Sequence, residues 1–475
     1  CTIKEKPQTL STLLGMATHY LAVVVSLILL AATLFRLALK WGGKAGPCEA
    51  RLPPAPGSRG LPILGETLEF FTAAPTLELL PFLKRRLDRY GPIFVTNLVC
   101  EDLVVSLDPE FSARVLLQEE RAFQIWYPAS FMRVFGGDNI ITKLGPIHRH
   151  IRSLVLRLFG PETLRRALLR DVQRASRAEL RSWLHHCRAG HGGVEVRAAT
   201  SRMIFGVTAK KLISHDDAAA SGGSLWRCFD ACTRGLLSFP LCLPGTAFYR
   251  CMQGRRQVMR TLKRQLDERR DANAAAEREA VDFFDLVIGE MDKPNPVLDE
   301  SAALDLLFLL LFASHETTSM GLTAILKFLT DNPEALQELT EEHEGILKRK
   351  AEPESDITWE EYKSYELHIL CKCWRYSRSA QDSKHRSGRV QKSEAGCAHT
   401  RHGSPEPVGG SKDFMAFGGG LRLCVGADFA KLQMATFLHC LVTKYRWKAI
   451  SGGRMVFYPG LRFPEGFHIQ LLPKD

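Results

Sequence analysis

The apolar positions of this chain fall into three patterns. The first is a continuous run from Leu13 to Leu39, about 27 residues, in which Leu21–Phe35 (LAVVVSLILLAATLF) carries no charge and only Arg36 is charged near the end. Crossing ~30 Å of hydrocarbon takes ~20 helical residues, so this run predicts a transmembrane helix. Lys40, Lys44, Arg51 and Arg59 follow it, and a basic flank places what comes next on the cytosolic side of a single-pass anchor. A cleaved signal peptide fits less well, because no small-x-small site closes the run.

The second pattern is short and β-like. Tyr90–Leu107 holds two β-rich runs around Cys100-Glu101-Asp102 and predicts a hairpin. The third is helical and accounts for most of the chain. Thr163–His186, Arg255–Ala280 and Asp299–Thr330 are long runs of good helix formers, and Asp331-Asn332-Pro333-Glu334 is a helix start with proline at the first helical position. There is no internal repeat. The pattern predicts a mainly α fold with a minor β-sheet. Residues 1–45 form the anchor and its flanks, 46–65 a stiff proline-rich linker around Leu52-Pro53-Pro54-Ala55-Pro56-Gly57, and 66–475 the main body.

One segment breaks the pattern. Residues 371–412 carry nine Lys/Arg against three Asp/Glu, a net +6 out of +11 for the whole chain of 475 residues, and no apolar period. Such a composition buries too little surface to offset its ordering entropy and predicts disorder. Cys371, Cys373, Cys397, His399 and His402 lie there, but their spacing fits no standard zinc knuckle. The basic run has only Trp374 and Tyr376 for base stacking, so no nucleic-acid partner is expected. The thirteen cysteines show no framework spacing and read as reduced thiols of a cytosol-facing protein.

The chemistry concentrates in Phe417-Gly418-Gly419-Gly420-Leu421-Arg422-Leu423-Cys424-Val425-Gly426. Glycines permit a tight turn against a flat group. A helix then opens at Ala427-Asp428-Phe429, and a thiolate near a helix N-terminus is stabilised. This stretch matches, at every fixed position, the haem-binding signature Phe-x-x-Gly-x-Arg-x-Cys-x-Gly, and on it the chain resembles the cytochrome P-450 family. Ala313-Ser314-His315-Glu316-Thr317-Thr318 resembles that family's oxygen-activation motif, with Ser314 where glycine is usual.

The resemblance implies a cytochrome P-450 fold and haem b as cofactor, with Cys424 as the iron's thiolate ligand. It places Phe417, Gly420, Gly426 and Ala313 against the cofactor and makes Glu316 and Thr317 the catalytic proton-delivery pair. His148 and Arg152, four apart on one helix face, and Arg422 would hold the haem propionates. The aromatic loop with Phe123, Trp126 and Phe131 would line a pocket for a hydrophobic, steroid-like substrate. The implied partners are a membrane-bound NADPH cytochrome P-450 reductase and the lipid bilayer, with the anchor in the endoplasmic reticulum.

Ser238–Arg250, Phe312–Ser319 and Phe414–Trp447 resemble the plant brassinosteroid side-chain hydroxylases most. The implied function is hydroxylation of a sterol-derived, brassinosteroid-type substrate, with a triterpenoid or other terpenoid as the alternative. The chain departs from the family after Tyr365. A Glu-x-x-Arg helix should follow, yet three residues after Glu366 stands Ile369. The Pro/Phe-rich meander is missing as well. Residues 367–412 therefore read as a shifted frame or misjoined exon, and the rival reading is a catalytically dead product.

Overall fold

The computed structural model describes residues 21–33, 55–61, 65–74, 79–98, 101–136, 140–190, 192–216, 224–236, 238–273, 282–350, 352, 355–365, 417–457 and 460–474. The non-matching segment 367–412, with its five candidate zinc ligands, lies outside them. They group into two units: Cys1–Ala74 with Glu78–Asp108, and Pro75–Leu77 with Pro109–Asp475.

In the first unit, residues 21–33 are helical with most apolar side chains exposed. The rest of the expected span lies outside the described residues, among which no helix is long and apolar enough to cross a membrane. The expected hairpin is present: β1 (Ile93–Leu98) pairs antiparallel with β2 (Glu101–Ser106). Helix α1 (Pro81–Tyr90) starts on proline and supplies Arg86, whose Nε donates to Glu66 Oε2 at 2.9 Å.

The second unit is mainly helical. In chain order it contains α2 (Pro109–Leu117), α3 (Ala129–Phe135), α4 (Gly145–Phe159), α5 (Leu169–Arg188), α6 (Val196–Ile213), α7 (Leu225–Leu236), α8 (Ala247–Asn273), α9 (Phe283–Met291), α10 (Glu300–Asp331), α11 (Pro333–Lys348) and α12 (Ala427–Lys444). A three-stranded antiparallel sheet orders β3 (Val194–Glu195), β7 (Phe467–Pro473) and β4 (Tyr445–Gly452), and β5 (Val456–Phe457) pairs with β6 (Leu461–Arg462).

The helix boundaries follow local chemistry. The Asp299 carboxylate accepts from Ala302 N at 2.7 Å and starts α10. Glu195 accepts from Arg197 N and Ala198 N and starts α6. Pro333 cannot continue the α10 hydrogen-bond ladder and becomes the first residue of α11. Apolar residues fill nearly every face of α10, so it is buried through the middle of the unit. Aromatic contacts tie its neighbours together: Phe205 on α6 to Phe229 on α7 (5.5 Å), Phe229 to Phe308 on α10 (5.1 Å), and Phe159 on α4 to Phe429 on α12 (4.8 Å). Full burial stabilises each such ring by about 2–3 kcal/mol.

Candidate functional site

Cys424 sits at the end of a glycine-rich turn immediately before α12. Its amide donates to Phe417 O at 2.9 Å, which closes the loop on itself. The turn Gly420–Arg422 is a single tight 3-10 turn. Gly418 and Gly420 have φ of 75° and 61°, in the left-handed region that glycine adopts without steric cost. A Cβ on Gly420 would lie 2.3 Å from Leu116 O, so the loop rests directly on the backbone at the end of α2. The Cys424 thiol is free and exposed. A Cβ on Gly426 would lie 3.9 Å from Cys424 Sγ, in ordinary contact.

Two arginines fasten this loop. Arg152 on α4 donates from Nη1 to Leu423 O at 2.6 Å, one residue before the sulfur. Arg422, which the resemblance implied would hold a propionate, is engaged by the chain itself. Its Nε donates to Glu119 Oε1 at 2.6 Å, Nη1 to Ile141 O at 3.0 Å and Nη2 to Lys143 O at 2.7 Å. His148 lies near both arginines. Burial first, and then the positive charges of Arg422 and Arg152, lower its pKa and favour the neutral ring.

The oxygen-activation motif lies in mid-α10, and Ser314 does not interrupt the helix, its hydroxyl donating to Leu311 O at 3.1 Å. Ala313 and Thr317, one turn apart, are exposed, while Phe312, His315 and Thr318 beside them are buried. Residues i and i+4 share a face, so one narrow stripe of an otherwise packed helix is uncovered. The Thr317 hydroxyl donates to Ala313 O at 3.0 Å. Glu316 points elsewhere. Both its carboxylate oxygens accept from Arg197 Nη1 of α6 at 3.2 Å. Arg197 also reaches Asp230 at 3.4 Å, and Asp230 in turn accepts from Arg234 at 2.6 Å. Burial raises the Glu316 pKa and the Arg197 charge opposes that rise. His315 is fully buried, its pKa pushed down to about 4 by that burial. The structure thus separates the two expected catalytic residues: Thr317 on the open stripe, Glu316 bound into a charge network toward α6 and α7.

The aromatic loop also divides. Phe123 and Trp126 are 45% and 53% exposed. Phe131 instead stacks on Tyr127 at 4.5 Å and meets Phe135 at 4.5 Å, and Phe135 packs on Phe312 of α10 at 5.1 Å. Only Phe131 among the three joins the aromatic set beside the α10 motif. Sequence reasoning missed Arg197, Asp230 and Glu119, which reach the site from distant helices and loops and belong to no motif.

These residues fit a haem. Among the described residues, no three of His, Cys, Asp and Glu come together as a metal cluster. Cys424 offers a single exposed sulfur donor, which suits a metal whose other ligands come from its own macrocycle. A small residue, Ala313, lies on the open stripe, and cationic Arg152 and the polar ring of His148 flank the loop.

Comparison with known proteins agrees with this chemistry. The sequence model of the family described as Cytochrome P450 matches residues 54–364 and 402–460. The chain is 43% identical over 473 residues to Cytochrome P450 87A3 of Oryza sativa subsp. japonica, covering 93% of this chain and 89% of that one. It is 34% identical over 495 residues to cucurbitadienol 11-hydroxylase of Siraitia grosvenorii, covering 98% and 100%. It is 30% identical over 495 residues to cholesterol 22-hydroxylase CYP90B27 of Paris polyphylla, covering 97% and 99%. Among solved structures, retinoic acid-bound cyanobacterial CYP120A1 superimposes with a TM-score of 0.68 at 22% identity, over 89% of this chain and 100% of that one, which is a likeness of fold.

Proposed function

Because the chain belongs to the cytochrome P450 family and is a P450 monooxygenase, whose cofactor is a haem held by a thiolate, we propose that it hydroxylates a polycyclic terpenoid, a triterpenoid or a sterol, with Cys424 as the haem ligand and electrons supplied from NADPH by a membrane-bound cytochrome P-450 reductase. The observation that carries this reading is the exposed Ala313–Thr317 stripe in the middle of an otherwise buried helix, in the same unit as an exposed thiol on a rigid glycine turn. A greasy substrate suits the aromatic run Tyr127–Phe131–Phe135–Phe312 beside that stripe. The cucurbitadienol enzyme is more similar to this chain than the cholesterol enzyme, which favours a triterpenoid over a brassinosteroid-type substrate. We assign residues 13–39 as an anchor in the endoplasmic reticulum, with the body facing the cytosol.

Haem, when bound, supplies dioxygen activation, and donation from a thiolate favours O–O cleavage. The chain's own residues set the conditions around it. Gly418 and Gly420 let the loop lie flat, and the Arg152 hydrogen bond to Leu423 O fixes the peptide next to the sulfur. Arg152 and His148 offer an N–H each to carboxylates. Thr317 Oγ1 donates to Ala313 O, which leaves its lone pairs free to accept a proton donor on the open stripe. Glu316, with its pKa raised by burial, holds a proton more readily than an exposed glutamate.

The family match breaks between residues 364 and 402, where the Glu-x-x-Arg helix is missing from the sequence, and this favours a second reading in which the chain folds without productive haem. One experiment separates the two. Expressed protein is reduced under carbon monoxide and then incubated with reductase, NADPH and cucurbitadienol, β-amyrin or cholesterol in turn. The first reading requires a red-shifted Soret band and a product carrying one added oxygen. Absence of the band sinks it in favour of the second, and a band with no product from any of the three overturns the substrate class alone.

A further inference from the structure

Arg422 is one of the two arginines through which the haem loop reaches the rest of the unit. A guanidinium has five N–H groups, and three acceptors engage it here: Glu119 Oε1, Ile141 O and Lys143 O at 2.6, 3.0 and 2.7 Å. Only Glu119 carries charge. The ion pair is well shielded, with side chains 16% and 10% exposed, so neither charge is left to water. Glu119 lies two residues past the end of α2, and the same stretch of chain supplies Leu116, against which Gly419 and Gly420 pack. The next residue, Glu120, has φ of 69°, a conformation that costs a non-glycine residue about 1–3 kcal/mol and persists where its surroundings hold it. Here its carboxylate accepts from Gly145 N at 2.5 Å, and its amide donates to Phe123 O at 3.0 Å. The backbone is thus pinned so that Glu119 meets Arg422.

We propose that Glu119 is an internal stand-in for a haem carboxylate: it holds Arg422, and through it the Cys424 loop, in place in the haem-free chain, and a propionate competes with it for the same guanidinium. This rests on the haem reading above. The physical reason is charge balance. A largely buried arginine needs a carboxylate, and leaving it unpaired is costly. A second carboxylate brought beside the first would meet like-charge repulsion. Exchange of one carboxylate for another preserves the balance. Glu119 is therefore a positioning residue, acting on the thiolate through Arg422. The sequence after Tyr365 supplies no Glu-x-x-Arg, with Ile369 three residues after Glu366.

The test uses full-length haem-free protein, wild type and Glu119→Gln, with Glu119→Ala as a second variant and melting curves to establish folding. Two probes are titrated: iron protoporphyrin IX and its dimethyl ester, which lacks the carboxylates. Alkylation of Cys424 in the haem-free state is followed by peptide mass mapping. We expect Glu119→Gln to alkylate several-fold faster at Cys424, to bind haem several-fold tighter than wild type, and to bind the dimethyl ester no tighter than wild type does. Unchanged alkylation together with unchanged haem affinity overturns the proposal. So does a gain that is equal for haem and ester, or a loss of haem affinity, which would make Glu119 part of the loaded site. If wild type and both variants take up no haem at all, the haem reading fails, while the alkylation arm still reports whether Glu119 holds the loop.

Discussion

Arg197 and Glu316 stand 119 positions apart in the chain, and one guanidinium nitrogen, Arg197 Nη1, donates to both oxygens of the Glu316 carboxylate at 3.2 Å. The side chains are 21% and 14% exposed, so most of the pair is withdrawn from water. Removing one partner of such a pair strands the other charge, at a cost of about 3 kcal/mol. Arg197→Gln should therefore lower stability by roughly that amount at neutral pH in chemical denaturation. The sign with pH follows from the raised Glu316 pKa. A carboxyl whose folded pKa lies above its unfolded value contributes stability at low pH and loses it as pH rises through the folded pKa. Arg197→Gln removes the charge opposing that rise, so its penalty should shrink as the pH falls through the raised Glu316 pKa and the carboxyl takes up a proton. A penalty that grows on acidification would contradict this account.

Gly420 allows a second, purely steric prediction. Its φ of 61° and the 2.3 Å separation that any Cβ there would have from Leu116 O are independent obstacles to a side chain. The left-handed backbone alone costs a non-glycine residue about 1–2 kcal/mol, and the Leu116 backbone cannot yield without moving α2. Gly420→Ala should lower the melting temperature measurably and weaken haem uptake. Gly145→Ala, at a similar φ of 59° but with nothing within 4 Å, should cost only the backbone part. Equal losses in the two variants would show that the Leu116 contact is unimportant.

The haem loop is legible in the sequence because its information is local: glycines, arginine and cysteine at fixed spacing over ten residues. The main helices are legible for the same reason, since Asp299 caps α10 and Pro333 opens α11. What holds the site is not legible. The Arg422–Glu119 contact spans 303 positions and Arg197–Glu316 spans 119, and a charge in sequence does not announce its partner. The motif names Arg422 but not Glu119, to which its Nε donates at 2.6 Å. The motif gives Glu316 the same task as Thr317, yet adjacent residues on a helix point about 100° apart, and that rotation sends the Glu316 carboxylate to α6. The glutamate pair Glu119-Glu120 just before the aromatic loop is the one available signal, since acids next to an apolar stretch need a counter-charge.

Cys424→Ser separates the ligand from the loop. Serine preserves the backbone bond from residue 424 to Phe417 O, seen at 2.9 Å, and the thiol itself is exposed, so stability should change by less than about 0.5 kcal/mol. Haem-thiolate absorption should vanish completely. A reduced carbon monoxide complex that kept the thiolate band in Cys424→Ser would mean that another sulfur binds the iron.

His439 on α12 gives a prediction tied to acid. Its ring Nδ1 lies 2.8 Å from Nδ1 of His343 on α11, and the Tyr365 ring stacks on it at 5.6 Å. Burial, assisted by the nearby positive charge of Lys350, pushes its pKa down from 6.5 to about 4. A hydrogen bond between two ring nitrogens needs one donor and one acceptor, so at least one ring must be neutral. Between pH 6.5 and 4 the unfolded chain binds a proton at this position that the folded chain refuses. Stability therefore falls as pH drops through that window, by at most about 3 kcal/mol from this residue. His315, also depressed to about 4, adds a second contribution of the same sign. His439→Asn should be less stable at neutral pH yet lose stability less steeply on acidification. Denaturant midpoints of wild type and variant at pH 7 and pH 4.5 measure the difference directly, and parallel pH dependences would show that the His343–His439 pair is not the proton-sensitive element.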